Sequence, residues 1–400
     1  MRRLVCDMRM LTGLTVIYGN RHDSASCSVG LAREIAPAER GFVPAPKAID
    51  AHSLYDLASL TKLFTCISAL QLVEQGKLAM DSLIGEVDKR FVHLRGVTLY
   101  DALTYRAVLK SPERIDRQPD ARAAERQVFA MYSAPDMPDR LYSDMNALLL
   151  KYVVESVSGW CFDEYIRQHI CQPAGMGETF ARVPEGRLSD CVDYNYEHHI
   201  IDGAYILLDD RHPGLPHDPK ARLLSAAGGG APCGHAGLFS TAGDMARFAQ
   251  ALLGGELLSR HSVLEIGVNR TGIHEKGRYR QYLGYLCFAK SPVQRLSELP
   301  SWMGHRSFGI SGYTGNHIAI DPEAGVFDIF LGNRCHNRVS KIVPEEDIAK
   351  TGLATTGEGQ VVWPDGRQVP SSCLYIFRKD AMLHRPVYDC LIDNGWMKGA

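Results

Sequence analysis

Residues 55–62 read Tyr-Asp-Leu-Ala-Ser-Leu-Thr-Lys and run directly into an apolar segment. From there, large apolar residues recur at helical spacing as far as Val73, and Gly76 supplies a stop. The pattern predicts a helix that begins close to Ser59, with Ser59 and Lys62 one turn apart on the same face. Serine needs a nearby base to act as a nucleophile, and a lysine in a water-poor site can lose its proton and serve as that base. The segment therefore predicts a lysine-activated nucleophile.

Two later segments carry polar residues directly before a predicted helix or strand. Residues 141–146 read Leu-Tyr-Ser-Asp-Met-Asn and precede a helical pattern over Ala147–Ser158, which Gly159 ends. Residues 309–315 read Gly-Ile-Ser-Gly-Tyr-Thr-Gly and precede strand-like runs. A Ser-x-x-Lys tetrad alone also occurs on ordinary surface helices, so the three segments in order are more specific than any one of them.

Together the three segments resemble the active-site motifs of the serine β-lactamase and penicillin-binding-protein superfamily, in particular its class C-related branch of esterases and acyltransferases. The resemblance runs in family order from about residue 10 to residue 340. It implies that Ser59 is the nucleophile, that Lys62 activates it, and that Tyr142 shares the general-base role and returns the proton to the leaving group. The backbone N–H groups of Ser59 and Tyr313 would form the oxyanion hole, and no cofactor is expected.

The resemblance also implies supporting roles. Asp144 stands where the family often has asparagine, and an aspartate there would also serve as a helix N-cap. Ser311 and Gly312 belong to the oxyanion strand, where glycine permits close approach. His235, set in Gly-His-Ala-Gly, and the side chain of Tyr313 are candidates for substrate binding in the cleft.

Ile310 stands where the family carries lysine or histidine. Isoleucine cannot attract the carboxylate that β-lactams and D-alanyl peptides present to that position. Ile310 is therefore expected to be an apolar substrate contact, and esters become better candidate substrates than β-lactams. Four nearby basic residues are candidates for restoring a positive charge: His305, Arg306, Arg334 and His336.

Strand-like runs fall toward both ends of the chain: Leu11–Tyr18, Ser26–Leu31, Tyr282–Ala289, Asn316–Ile320 and Val326–Leu331. Helical patterns fill the middle, one of them over Ala242–Leu253 with Gly254 as its stop. This order predicts an α+β fold. The resemblance makes it a β-lactamase/transpeptidase-like fold, in which an antiparallel sheet is flanked by helices and accompanied by a mostly helical subdomain.

We expect residues 1–345 to form the catalytic domain, with the helical subdomain at about 80–250 inserted between the sheet-forming ends. Residues 346–400 would add a hairpin, from strands at Gln360–Trp363 and Gln368–Phe377 around Pro-Asp-Gly, and a terminal helix at Ala381–Asn394 packed on the same domain. Residues 183–237, which include Gly228-Gly229-Gly230, read as a loop-rich lid or binding segment.

The amino-acid composition disfavours several kinds of partner and indicates where the protein resides. The 44 basic and 46 acidic residues are interspersed, which disfavours nucleic acid as a partner. No apolar run approaches the roughly 20 residues that span a bilayer, and Asp7 and Arg9 interrupt a signal-peptide core. Eleven scattered cysteines without a Cys-x-x-Cys pair favour a reducing cytoplasm and no structural zinc. The irregularly spaced histidines, such as His198 and His217, define no metal site.

The leading hypothesis is a serine hydrolase that forms an acyl-enzyme on Ser59 from a small ester or amide and releases it to water. Three alternatives stay open: an acyltransferase that passes the acyl group to an alcohol or amine, a β-lactamase or D-amino-acid peptidase, and a catalytically silent binding protein of the same fold. The partner would be a small-molecule acyl substrate. The oligomeric state cannot be predicted from the sequence.

Overall fold

The computed structural model describes residues 1–225, 232–343, 353–356 and 360–398. At its centre is a seven-stranded sheet in which every neighbouring pair is antiparallel. In spatial order its strands are Phe288–Ala289, Phe308–Ser311, His317–Asp321, Val326–Asn333, Gly13–Asn20, Ser24–Pro37 and Phe42–Ala48. Because Gly13–Asn20 pairs with Val326–Asn333, the two ends of the chain meet inside one sheet. The predicted α+β fold with an antiparallel sheet is confirmed.

Smaller sheets and helices surround this sheet. The remaining strands are Tyr55–Asp56, Val108–Lys110, Tyr132–Ala134, Glu197–Ile201, Ala204–Leu208, Phe239–Ser240, Ile273–Glu275, Arg278–Arg280, Val339–Val343, Val361–Val362 and Gln368–Val369. The α-helices are Thr61–Glu74, Ile84–Val87, Leu99–Leu103, Ala121–Phe129, Asp144–Ser158, Phe162–Ile166, Pro219–Ser225, Ala242–Gly254, Arg260–Ile266, Tyr375–Lys379 and Arg385–Asp393. Short 3-10 turns occur at Ala58–Leu60, Val92–Leu94, Ile115–Arg117, Glu185–Asp190 and Gln294–Leu296, and π-helical turns at Arg3–Asp7, Arg167–Cys171 and Asp380–His384.

The helix Thr61–Glu74 is the centre of the main core. Its first twelve residues are all buried, and it packs against Asp144–Ser158. Both helices end where the sequence predicts, because Gly76 and Gly159 adopt the left-handed conformation with φ of 68° and 74°. This pair of helices brings the Ser59 segment next to the Tyr142 segment.

Several predicted element bounds are wrong in detail. The first hairpin turns at residues 21–23, so the first strand continues two residues past its predicted end at Tyr18. Gly254 is the last helical residue, and Gly255, with φ 90°, is the left-handed cap. Of the predicted strand Tyr282–Ala289, only its last two residues join the sheet, because Leu286 has a φ of 51° and turns the chain back on itself.

The segment 183–237 is more regular than predicted. It contains a hairpin of Glu197–Ile201 and Ala204–Leu208, and Val339–Val343 adds a parallel third strand. The turn is Asp202-Gly203, both with positive φ, which is a hairpin signal that the sequence carries and the prediction overlooked. The three glycines predicted to lie in a binding loop, Gly228–Gly230, fall outside the described residues.

The C-terminal segment forms the predicted hairpin, but with two-residue strands. Residues predicted to extend its second strand are helical instead, so helix runs from Tyr375 through a π-helical turn to Asp393. Its apolar face covers the sheet: Leu383, Val387 and Leu391 pack in one buried cluster with Val326 and Phe330. Among the described residues, no helix is both long and apolar enough to cross a membrane.

Candidate active site

Ser59 lines a cleft of about 670 Å³ and sits in the 3-10 turn that leads into the central helix. The residue before it, Ala58, has a φ of 46°, a conformation that non-glycine residues seldom adopt. The buried carboxylate of Asp56 supports this turn, because its Oδ1 accepts a hydrogen bond from Ala58 N–H at 2.8 Å. Its Oδ2 accepts another from His217 N–H at 2.6 Å. One buried carboxylate thus fixes the backbone on two sides of the cleft.

Lys62 lies next to Ser59 as the helical spacing predicts. Its Nζ donates to Ser59 Oγ at 2.8 Å and to Asp144 Oδ1 at 2.8 Å, and its side chain is completely buried. The serine, the lysine and an aspartate from the second helix therefore form one hydrogen-bonded unit.

The charge state of Lys62 depends on burial and on its partners in the site. Burial lowers the pKa of the Lys62 amine, but the interactions with Asp144 and then with Tyr142 together outweigh burial and raise the pKa above its usual value. Burial would likewise raise the pKa of the Asp144 carboxyl, yet the surrounding positive charges, that of Lys62 first, hold it well below the ordinary range. These directions favour a charged Lys62 in the resting site, because an ionised partner shares the site, and the role of Lys62 as the base stays a prediction.

Tyr142 lines the same cleft and stacks on Phe288, with ring centroids 5.0 Å apart. The Lys62 ammonium lies 4.9 Å from the centre of the Tyr142 ring. The Tyr142 hydroxyl is buried and makes no hydrogen bond to the described residues. A buried hydroxyl without a partner is unusual in a stable core, and for one that belongs to a cleft-lining residue a catalytic role is one explanation.

Asp144 does not cap its helix, contrary to the structural role foreseen for it. Ser143 is the N-cap, since its side chain accepts from Met145 N–H at 3.1 Å, and Asp144 follows as the first helical residue. This leaves the second carboxylate oxygen of Asp144 free to bind Lys220, a residue that the sequence analysis missed. Asp144 therefore carries two ammonium partners, one on each oxygen.

His235 is almost fully buried and contributes to the cleft lining. Its Nε2 lies 3.0 Å from Asp218 Oδ1, and its Nδ1 lies 3.2 Å from the carbonyl oxygen of Cys233. Asp218 also accepts from Ala221 N–H at 2.9 Å, which anchors the helix that carries Lys220. His235 thus supports the second lysine through Asp218.

The strand Phe308–Ser311 delivers Gly312 and Tyr313 to the cleft beside Ser59. A side chain at position 312 would meet the carbonyl oxygen of Leu57 at 2.9 Å, which explains why glycine is needed there. The strand therefore packs directly against the backbone of the Ser59 turn.

Ile310 does not contact the cleft, so its expected role in substrate binding is not supported. Its side chain is fully buried in the main core, because side chains alternate between the two faces of a strand. Ser311 occupies the cleft face instead. There its Oγ accepts from Lys379 Nζ at 2.7 Å, so the terminal helix supplies a positive charge that the strand lacks.

Of the four basic residues considered as replacements, Arg334 lines the cleft, with its guanidinium 5.1 Å from the centre of the Tyr313 ring. Arg306 instead pairs with Glu265 at 3.1 Å, and His336 is buried against Asn195. No sequence pattern predicts that Lys379 contacts Ser311, because this contact depends on how a helix distant in sequence packs against the strand.

Two histidines that line the cleft near Tyr313, His199 and His217, share a buried carboxylate partner. Glu197 is fully buried and binds the imidazoles of His217 and His199 at 2.7 and 3.2 Å. Burial would raise the pKa of the Glu197 carboxyl, but His217 and then His199 hold it well below the usual value. Ligand atoms of Glu197, His217 and Cys335 lie within 4.8 Å of one another. We still predict that the protein binds no metal and no cofactor, and the proximity of these three residues does not test that prediction.

The antiparallel sheet and the Ser-Lys pair at the start of a buried helix are together typical of the penicillin-binding serine enzymes. Residues 38–352 match the Beta-lactamase family, and the chain belongs to that family.

Relatives and solved structures agree with this assignment. A protein from Escherichia coli named "Putative D-alanyl-D-alanine carboxypeptidase" is 27% identical over 338 residues, which cover 76% of this chain and 75% of that protein. Simvastatin synthase (LovD) from Aspergillus terreus has the same fold, with a TM-score of 0.61, 18% identity and coverage of 83% of this chain and 90% of the other. The penicillin binding protein from Bacillus halodurans superposes with a TM-score of 0.57, 20% identity and coverage of 83% and 94%.

Proposed function

We propose that this chain is a serine hydrolase that forms an acyl-enzyme on Ser59 from a small ester or amide and releases it to water. The observation that carries the proposal is the 2.8 Å contact between Lys62 Nζ and Ser59 Oγ in a cleft large enough for a small substrate. A serine in such contact with a buried basic group has the geometry that nucleophilic catalysis requires.

In the proposed acylation step, Ser59 Oγ bonds to the substrate carbonyl carbon while its proton passes to the Tyr142–Lys62 unit. The carbonyl oxygen becomes an oxyanion, which the backbone N–H groups of Ser59 and Tyr313 stabilise. When the carbon–leaving-group bond breaks, the same unit returns the proton to the leaving group. In the second step water adds to the acyl carbon, gives its proton to this unit, and Ser59 leaves protonated.

Because Asp144 keeps Lys62 charged, the Tyr142–Lys62 unit must lose a proton before it can accept one from serine. Activity should therefore rise with pH. Asn in place of Asp144 removes a negative charge that favours the ammonium, so the pKa of Lys62 falls. We expect the rising limb of log(kcat/KM) in Asp144→Asn to move at least about one unit toward lower pH. Glu155→Gln, which breaks a remote pair with Lys151, is the control. An unmoved limb in Asp144→Asn would contradict this account.

Acyl transfer and D,D-peptidase activity are the second candidates. The names of the curated relatives favour the peptidase, and the ammonium of Lys379 beside Ser311 restores a basic group near the position where Ile310 lacks one. One experiment separates the candidates. The protein is incubated with p-nitrophenyl butyrate, with and without methanol, and separately with a peptide that ends in D-alanyl-D-alanine.

Release of p-nitrophenol with butyrate as the main product supports the hydrolase. Methyl butyrate as the main product would make the protein an acyltransferase, and release of D-alanine faster than of p-nitrophenol would make it a peptidase. No turnover in any arm would favour the binding-protein alternative. As part of the same proposal, we place the chain in a reducing cytoplasm, which the eleven scattered cysteines without a Cys-x-x-Cys pair support.

A further inference from the structure

Glu298, Ser311 and Lys379 meet on one wall of the cleft, and the buried His317 contacts two of them, with its Nδ1 3.0 Å from Ser311 Oγ and 3.4 Å from Lys379 Nζ. Ser311 Oγ donates to Glu298 Oε2 at 2.7 Å and accepts from Lys379 Nζ at 2.7 Å. Lys379 Nζ also lies 3.3 Å from the same Glu298 oxygen. All three residues line the cleft, and Lys379 is almost completely buried.

A hydroxyl and a desolvated ammonium placed side by side form a good binding position for a carboxylate. This position lies close to the proposed chemistry, because Ser311 and Tyr313 are two residues apart, at most about 7 Å along the chain. A substrate whose carbonyl oxygen lies in the oxyanion hole would need only a short substituent to reach the position beside Ser311 and Lys379. In this structure a carboxylate of the protein itself, that of Glu298, already fills the position.

We propose that Glu298 acts as a built-in carboxylate that makes the cleft select acyl substrates without a negative charge at this point. The proposal rests on the proposed acyl chemistry of Ser59 and names the substrate class of that site. A second carboxylate here would have to displace Glu298 or lie beside it, and like charges in a partly buried site repel strongly.

The state of Glu298 supports the proposal. Burial would raise the pKa of the Glu298 carboxyl, but the charge of Lys379 and the hydrogen bonds from Ser311 and Lys379 together outweigh burial and lower the pKa below its ordinary value. Glu298 is therefore ionised at neutral pH. Removal of Glu298 should have the reverse effect on selectivity. It would leave the Ser311 hydroxyl and the Lys379 ammonium free to bind a carboxylate of the substrate.

The test uses two pairs of esters that differ by one carboxylate. p-Nitrophenyl butyrate is compared with mono-p-nitrophenyl glutarate, and phenyl acetate with 3-acetoxybenzoate, so the charge lies on the acyl side or on the leaving-group side. The measured quantity is the kcat/KM ratio of the neutral to the charged ester in each pair. The variants are Glu298→Ala, the isosteric Glu298→Gln, and the double variant Glu298→Ala with Lys379→Met.

In the wild type we expect the neutral ester to be favoured at least tenfold in one of the two pairs. In that pair, Glu298→Ala or Glu298→Gln should reduce the ratio at least tenfold, and the double variant should lose this gain because the ammonium is gone. A wild type that turns over the charged esters as well as the neutral ones would overturn the proposal. So would a ratio that neither single variant changes.

If the wild type hydrolyses no ester, the proposed function fails, and glutarate binding then tests Glu298 independently. Stabilisation of Glu298→Ala by glutarate in thermal unfolding, absent from the wild type and from the double variant, would support the built-in carboxylate. Equal stabilisation of all three proteins, or of none, would overturn it.

Discussion

Lys62→Met is expected to lower kcat/KM for p-nitrophenyl butyrate by about a thousandfold or more. The Lys62 side chain carries the proton-transfer group in contact with Ser59 Oγ, at 2.8 Å, and loss of such a group next to a nucleophile typically costs two to four orders of magnitude or more. Initial rates measured across the pH range, at substrate concentrations well below KM, give this ratio directly.

The variant should still fold, which makes the kinetic loss interpretable. Methionine is apolar and about as long as the buried part of the lysine stem, and Asp144 keeps an ammonium partner in Lys220. Lys89→Met, at an exposed position, controls for the general effect of the replacement. Activity within tenfold of the wild type in a folded Lys62→Met protein would remove Lys62 from the mechanism.

Tyr142→Phe is expected to lower kcat/KM for the same ester by about a hundredfold to ten-thousandfold. The replacement removes one buried hydroxyl that has no hydrogen-bond partner among the described residues, so folding should lose little. The fold is checked by thermal unfolding, and the chemistry by steady-state kinetics at saturating and limiting substrate.

Tyr105→Phe is a closely matched control for this variant. Tyr105 packs on Tyr142 with ring centroids 5.7 Å apart, and its hydroxyl is likewise buried without a partner, but it does not line the cleft. A loss confined to Tyr142→Phe therefore reports the phenol at the site. Equal losses in both variants would mean that packing, and not proton transfer, explains the effect.

The sequence predicts those parts of the site that depend on local spacing. Ser59 and Lys62 are three residues apart on one helix, so their contact follows from helix geometry once the helix is recognised. The capping glycines Gly76 and Gly159 are equally local signals, and both mark the ends that the structure shows. The central antiparallel sheet also follows from strand-like runs at both ends of the chain.

The parts that escaped prediction depend on long-range packing. Lys220 and Lys379 lie far along the chain from the residues they contact, and no spacing rule connects them. The orientation of Ile310 was misjudged because a motif alignment does not say which face of the strand points to the cleft. The ion pair between Lys62 and Asp144 was missed for a related reason, since Asp144 had been considered as a cap and not as an ion-pair partner.

The claim that Ser59 is the nucleophile is tested most directly by covalent labelling. The protein is treated with a soluble fluorophosphonate and its intact mass is measured, for the wild type, for Ser59→Ala and for Ser68→Ala, a serine of the helix that follows. We predict one added phosphonyl group in the wild type and in Ser68→Ala, and none in Ser59→Ala. Undiminished labelling of Ser59→Ala, or an unlabelled wild type, would contradict the account.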